Sequence, residues 1–250
     1  MAQGALRVGT SGWNYGDWKG VFYPESLKSA EYLTHYARHF DTTEINYTFY
    51  HLPRPSTYEK WASQTPEGFL FAVKASRVIT HVKRLSEVAE AWQKFLESAL
   101  RLGPKLGPVL LQLPPSMRAD KTRLEAFLRH VCSSPAKQEV LLAFEFRHAT
   151  WFDPEICELL QRYGAALVIA HSERYPQAPA TPTAPFVYLR FHGPGALFAS
   201  KYPEEQLQEW AERIRRWRAE GRTVFAYFNN DYHGYAIENA RRLRELIAPA

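Results

Sequence analysis

Cysteine and methionine are scarce in this chain, and no apolar stretch is long. Cys132 and Cys157 are the only cysteines and neither belongs to a CxxC pair, so there is no disulfide framework and no thiolate zinc site to read. Both fall in segments of helical spacing, where a reduced, buried thiol is expected. Apolar runs such as residues 165–170 fall far short of the ~20 residues a membrane-spanning helix needs, which argues against a membrane protein. The opening MAQGALRVGTSG has no basic segment followed by an apolar one, so no secretory leader is read there and a cytoplasmic location is expected. Also missing are GxGxxG after the first strand and GxxxxGK[ST] anywhere. These are the phosphate loops of doubly wound nucleotide-binding folds. Nothing specifies a cofactor or a metal.

What is present suits a soluble α/β chain. The 250 residues, 46% hydrophobic and 23% charged, are of the size of one (β/α)8 barrel domain, expected to span 1–250. The net charge of +5 is concentrated in ERIRRWRAEGR (212–222) and ARRLREL (240–246), whose helical spacing reads as solvated outer faces. A nucleic-acid surface is the weaker reading, because no aromatic interleaving or recognised motif accompanies the charge.

Eight β-rich runs recur: LRVGT from Leu6, TEINY from Thr43, FLFAVK from Phe69, VLLQL from Val109, VLLAFEF from Val140, ALVIAH from Ala166, FVYLRFH from Phe186 and VFAYFNN from Val224. Amphipathic segments at 29–40, 86–102, 120–131, 154–163, 203–220 and 237–247 separate most of them. This alternation predicts eight parallel strands in a TIM-like (β/α)8 barrel. After the sixth strand, SERYPQAPATPTAP (172–185) has four prolines and no helical period, so an irregular loop is expected in place of helix 6.

The loop after strand 1 holds Trp13, Tyr15, Trp18, Phe22 and Tyr23 among glycines. In a barrel it lies at the C-terminal end, where active sites are built, and its rings are expected to wall a pocket. Strand parity sharpens this, since alternate side chains face opposite sides. With Ile45, Phe71, Val73, Phe144, Phe146, Leu189 and Phe191 turned to the helices, the inward set becomes Glu44, Asn46, Lys74, Gln112, Glu145, Arg147, Tyr188, Arg190, His192, Tyr227 and Asn229. The charged members fall near the C-terminal ends of their strands.

Cations outnumber carboxylates in that ring, which points to an anionic ligand, phosphate or carboxylate, more than to a divalent-metal cage. Glu44, Lys74, Glu145 and His192 are the candidate acid–base groups. Trp13, Asn46, Gln112, Arg147, Arg190, Tyr227, Asn229 and Asn230 are the candidate substrate contacts. Arg190, Gly193, Asn230 and Gly234, in the loops after strands 7 and 8, are candidate phosphate contacts. A buried ion-pair network that only satisfies itself is the competing structural reading, and Glu145 is expected instead to be a solvated carboxylate. His81, His148 and His171 follow strands and are also expected to face the mouth; Asp231 reads as an N-cap. The alternative function is a nucleic-acid-binding or metal-dependent endonuclease-like barrel, with ligands from Glu44, Glu145, His171, His192 or Asp231. A non-catalytic ligand-binding barrel is a weaker third.

GTSGW at Gly9, TEINYTFYHLP at Thr43, FAVKASRVITH at Phe71, LLQLPPS at Leu110, FEFRHATW at Phe144, YLRFHG at Tyr188 and FNND from Phe228 together resemble the YecE-like family of bacterial proteins of unknown function. The resemblance runs over nearly the whole chain. It implies a TIM-barrel-like fold and brings no established activity. Its motif residues fall on Glu44, Asn46, Lys74, Glu145, Arg147, Arg190, His192, Asn229 and Asn230. An aspartate is common in that family where this chain has His171, which leaves His171 without a role by resemblance.

Overall fold

The structure, a computed structural model, describes residues 3–133, 140–195 and 197–248. All eight β-rich runs form strands: β1 (Leu6–Thr10), β2 (Thr42–Ile45), β3 (Leu70–Lys74), β4 (Leu106–Gln112) and β5 (Leu142–Glu145) come first. The sixth run is interrupted at Val168 into β6 (Ala166–Leu167) and β7 (Ile169–His171), and β8 (Phe186–Phe191) and β9 (Thr223–Phe228) follow. Every pairing is parallel. One sheet has the order β2-β3-β4-β5-β6 and the other β1-β9-β8-β7. Parallel strands are covered on both faces, which is why these runs are nearly continuously apolar.

Two apolar clusters follow strand parity. Val8, Ile45, Phe71, Val73, Phe144 and Phe191 face the helices. Ala72, Leu110, Ala143, Tyr188, Phe225 and Tyr227 form the inner cluster, drawn from both sheets. The five-stranded sheet supplies its small residues and the four-stranded sheet its rings, so the interior is filled by opposing sizes.

Five longer helices cover the outside: α4 (Ala89–Ala99), α5 (Lys121–Ser133), α6 (Pro154–Tyr163), α7 (Glu204–Ala219) and α8 (Tyr235–Ile247). The bounds of α6 follow from its local chemistry. Asp153 Oδ1 accepts from Glu155 N at 2.8 Å, Pro154 occupies the first turn, and Gly164 ends it in the left-handed conformation (φ 65°). The segment 29–40 is less helical than its spacing suggests, a 3-10 turn at Ser29–Glu31 followed by a short α1 (Tyr32–Tyr36). Periodicity did not signal α2 (Tyr47–Tyr50) or α3 (Pro55–Ser63). Residues 172–185 contain no helix. Cys132 and Cys157 lie on α5 and α6, half-buried rather than buried.

Candidate functional site

The inward polar residues stack directly above the inner apolar cluster. Arg190, the penultimate residue of β8, is 1% exposed. Its guanidinium grips Glu44 of β2 bidentately, Nη2 to Oε1 at 2.7 Å and Nε to Oε2 at 3.0 Å, and donates through Nη1 to Glu145 Oε2 of β5 at 2.5 Å. Tyr188 OH adds a bond to Glu44 Oε2 at 2.6 Å. Arg147 Nε donates to the other Glu145 oxygen at 2.8 Å, and its Nη1 to Tyr175 OH at 3.1 Å. Burial pushes both carboxyls upward, but the Arg190 charge together with the hydrogen bonds and the other neighbouring charges outweighs it, so Glu44 is held below the usual carboxylate range and Glu145 well below. Both are therefore ionised acceptors, and neither is solvated. This overturns the expectation of an exposed Glu145: the pairing that strand spacing cannot show is nearly complete here.

Two expected site residues belong to this buried layer. His192, fully buried, approaches Glu145 Oε1 at 3.4 Å, too loosely to hydrogen-bond, while its Nδ1 meets Asn229 Nδ2 at 3.1 Å. Burial lowers its pKa against the pull of Glu145, so its ring is neutral at pH 7. Tyr227 lies deeper still, its OH bonded to Thr42 Oγ1 at 2.8 Å within the inner core, and is not among the lining residues of the cavity above.

Above the network opens a cavity of about 810 Å³, with Asn46, Lys74, Gln112, Arg147, Arg190 and Asn229 among its lining residues. They come from the C-terminal ends of β2, β3, β4, β5, β8 and β9. Arg77 and Arg174 add charge, and Tyr15, Asp17 and Asp231 complete one wall. Lys74 ends β3 with its amine 4.2 Å from the centre of the Phe49 ring and no carboxylate within ion-pair distance among the described residues. Burial, reinforced by the Arg190 charge, brings its pKa down to about 7. Asp231 behaves oppositely: burial raises its carboxyl to about 8, against the lowering pull of the Arg190 charge, and its Oδ1 has no protein partner. His81 also lines the cavity, and burial together with the Lys74 charge takes it down to about 4.

The aromatic loop after β1 divides between two roles. Trp18 is fully buried and its Nε1–H donates to the Asp231 carbonyl at 2.8 Å; Tyr23 stacks on Tyr32 with ring centres 3.9 Å apart. Phe22 packs among Tyr36, His39 and Phe40. These three rings seat the loop. Tyr15 lines the cationic cavity, whereas Trp13 lines a neighbouring one, so Trp13 is not brought together with Lys74 as expected.

The expected phosphate contacts are engaged otherwise. Gly193 N–H donates to Tyr202 OH at 3.2 Å, and Asn230, fully buried, donates through Nδ2 to Ser200 O and Asn239 Oδ1, both at 2.9 Å. Gly234 is the residue preceding α8, and its N–H bonds the Asp231 carbonyl at 3.2 Å. Of that group only Arg190 borders the cavity. His171 turns away from the site, bonding Tyr202 OH through Nδ1 at 2.9 Å, because Ala170 takes the inward position beside it. His148 caps the turn at Ala149–Trp151. The metal-dependent alternative loses its ligand set, since among the described residues no three His, Cys, Asp or Glu side chains are grouped to hold a metal ion. No helix among the described residues is long and apolar enough to cross a membrane.

The model of the family described as "Protein of unknown function DUF72" matches residues 7–250. The chain belongs to the DUF72 family. It is 27% identical to the UPF0759 protein YunF of Bacillus subtilis (strain 168), over 97% of this chain and 94% of YunF. It is also 27% identical to YecE of Escherichia coli (strain K12), over 85% of this chain and 82% of YecE. The crystal structure of a DUF72 protein from Thermotoga maritima MSB8 superposes with a TM-score of 0.86 at 28% identity, covering 97% of this chain and 99% of that one. The family resemblance read from the motifs is therefore the family found.

In this DUF72 chain, sequence reasoning passed over Arg174 and Tyr175, which sit in the proline-rich loop and line the cavity. Tyr15 walls it as expected of its loop, and Asp231, read as a cap or a metal ligand, lines it as well. It makes no side-chain cap bond. An acidic residue directly after a strand's polar C-terminal end was the available signal.

Proposed function

We propose that this chain is a (β/α)8-barrel enzyme in one domain, acting by acid–base chemistry on a small anionic substrate, phosphorylated or carboxylated, at the C-terminal ends of its strands. Closure of the two sheets into one barrel is supported at both seams. Between β1 and β2, Thr43 Oγ1 donates to Thr10 O at 3.0 Å; at Val168 the chain passes from one sheet to the other, with Val168 N still bonded to Phe144 O at 2.9 Å.

The observation that carries the chemistry is that Lys74 and Asp231 line one cavity with the amine near 7 and the carboxyl near 8. Groups titrating near operating pH are suited to proton transfer. In this reading the neutral amine of Lys74 accepts a proton, protonated Asp231 supplies one, and Arg147 orients the anion. Glu44 and Glu145 act as positioning residues that fix Arg190. Inorganic phosphate tests the anion site by calorimetry: binding should weaken as pH rises through about 7, and Lys74→Met should weaken it and abolish that dependence. Binding that is absent, or unchanged in Lys74→Met, overturns the reading.

A second reading, recognition of a nucleic-acid end, draws on Tyr50 and Tyr232, 71% and 58% exposed beside this cavity. Exposed rings over cations suit an unstacked base. Filter binding of a short single-stranded oligonucleotide, lost in Tyr50→Ala, would favour it.

A further inference from the structure

The cationic cavity has a neighbour of different chemistry. A second cavity of about 570 Å³ lies between the loop after β1 and helix α3, and Lys60 is the one charged residue lining it among the described residues. Trp13 and Trp61 form its aromatic wall, their rings edge to face at 5.6 Å, and Leu33 and Ile45 add apolar surface. Tyr15 and Asn46 line both cavities and so form the boundary between them. At that boundary the Asn46 side-chain oxygen is buried without a hydrogen-bond partner. A buried acceptor left empty is costly unless something else supplies the donor.

From these juxtaposed features we infer that the substrate is a two-part organic anion, its charged head in the cationic cavity, its flat apolar part against Trp13 and Trp61, and an N–H or O–H between them donating to Asn46. This deepens the anionic-substrate reading and rests on it. A chamber walled by Trp13 and Trp61 adds most affinity for an anion that carries a ring. It also explains why Trp13, in the same loop as Tyr15, is turned into a different space.

2-Naphthyl phosphate and inorganic phosphate, titrated calorimetrically into the whole protein, test the inference. The aryl ester should bind about thirtyfold more tightly, the gain expected from burying one ring system. Trp61→Ala and, as a second variant at an exposed position, Ala30→Trp filling the aromatic chamber should each remove that gain and leave phosphate affinity within about twofold. Lys74→Met should weaken both ligands together. Equal affinity for the two ligands, or an aryl preference that survives both chamber variants, overturns the two-part substrate while leaving the anion site standing. Failure of both ligands to bind overturns the anion site itself.

Discussion

Arg190 satisfies two carboxylates from strands on the far side of the interior, and Glu145 is shared between two arginines. Removing one member of so buried a group strands its partners. Glu145→Gln leaves Arg190 and Arg147 competing for a neutral amide, and a loss of about 3–5 kcal/mol is expected in a denaturant melt. A loss under about 1 kcal/mol would show that the network is solvated after all. Asp231 contributes with opposite sign in pH. Its folded pKa near 8 lies above the unfolded value of 3.8, so folding takes up a proton between them; that contribution is full below about 4 and is lost as pH rises to about 8. Asp231→Asn should therefore flatten the decline of stability between those limits by up to about 1.4 kcal/mol per pH unit, measured by urea melts across pH. Alternation along strands made Glu44, Lys74, Glu145 and Arg190 legible as inward residues. It could not show that Arg190 would reach a carboxylate 146 positions away, because that distance is set by how far apart the strands lie across the interior.

At the scale of elements, strand existence was readable from β-branched and aromatic runs, and α6 to the residue from the amphipathic spacing of 154–163. Short α2 and α3 were not, since tertiary packing of the segment after β2 decides them and neither has a strong apolar stripe. β1 and β2 approach closely, and a Cβ on Gly9 would stand 2.2 Å from the Thr42 carbonyl oxygen. Gly9→Ala must therefore push these strands apart, and a loss of about 1–3 kcal/mol is expected, visible as a lowered thermal midpoint. Gly16→Ala, in the loop after β1 with nothing within 4 Å of the added carbon, serves as the control and should be tolerated. The break at Val168 was invisible in ALVIAH, whose composition is uniform. It arises because Ala166 and Leu167 pair with β5 while Ile169 onward pairs with β8.

For the molecule as a whole, charge is sorted by depth. Exposed pairs such as Arg242 with Glu204 decorate α7 and α8, and the Glu44–Arg190–Glu145 group lies under the cavity floor. Salt screens the first kind and scarcely reaches the second. Raising ionic strength from about 0.05 to 0.5 M, across which the screening length falls severalfold, should weaken phosphate binding while leaving the urea midpoint nearly unchanged. A midpoint that moves as steeply as the affinity would place the dominant ion pairs at the surface.

The buried arginine network also bears on how the protein can change over time. Arg190 is anchored by side chains from strands, whereas Trp13, Tyr15, Arg174, Tyr175 and Asp231 come from the connecting segments. Substitutions in those segments can reshape the walls without unpairing a buried charge, so selection for a new ligand is free to work there while the floor stays fixed. Descendants of this scaffold can thus trade one ligand outline for another through loop changes alone, and a library randomised at Trp13, Arg174 and Tyr175 should retain far more folded members than one randomised at Glu44, Glu145 and Arg190.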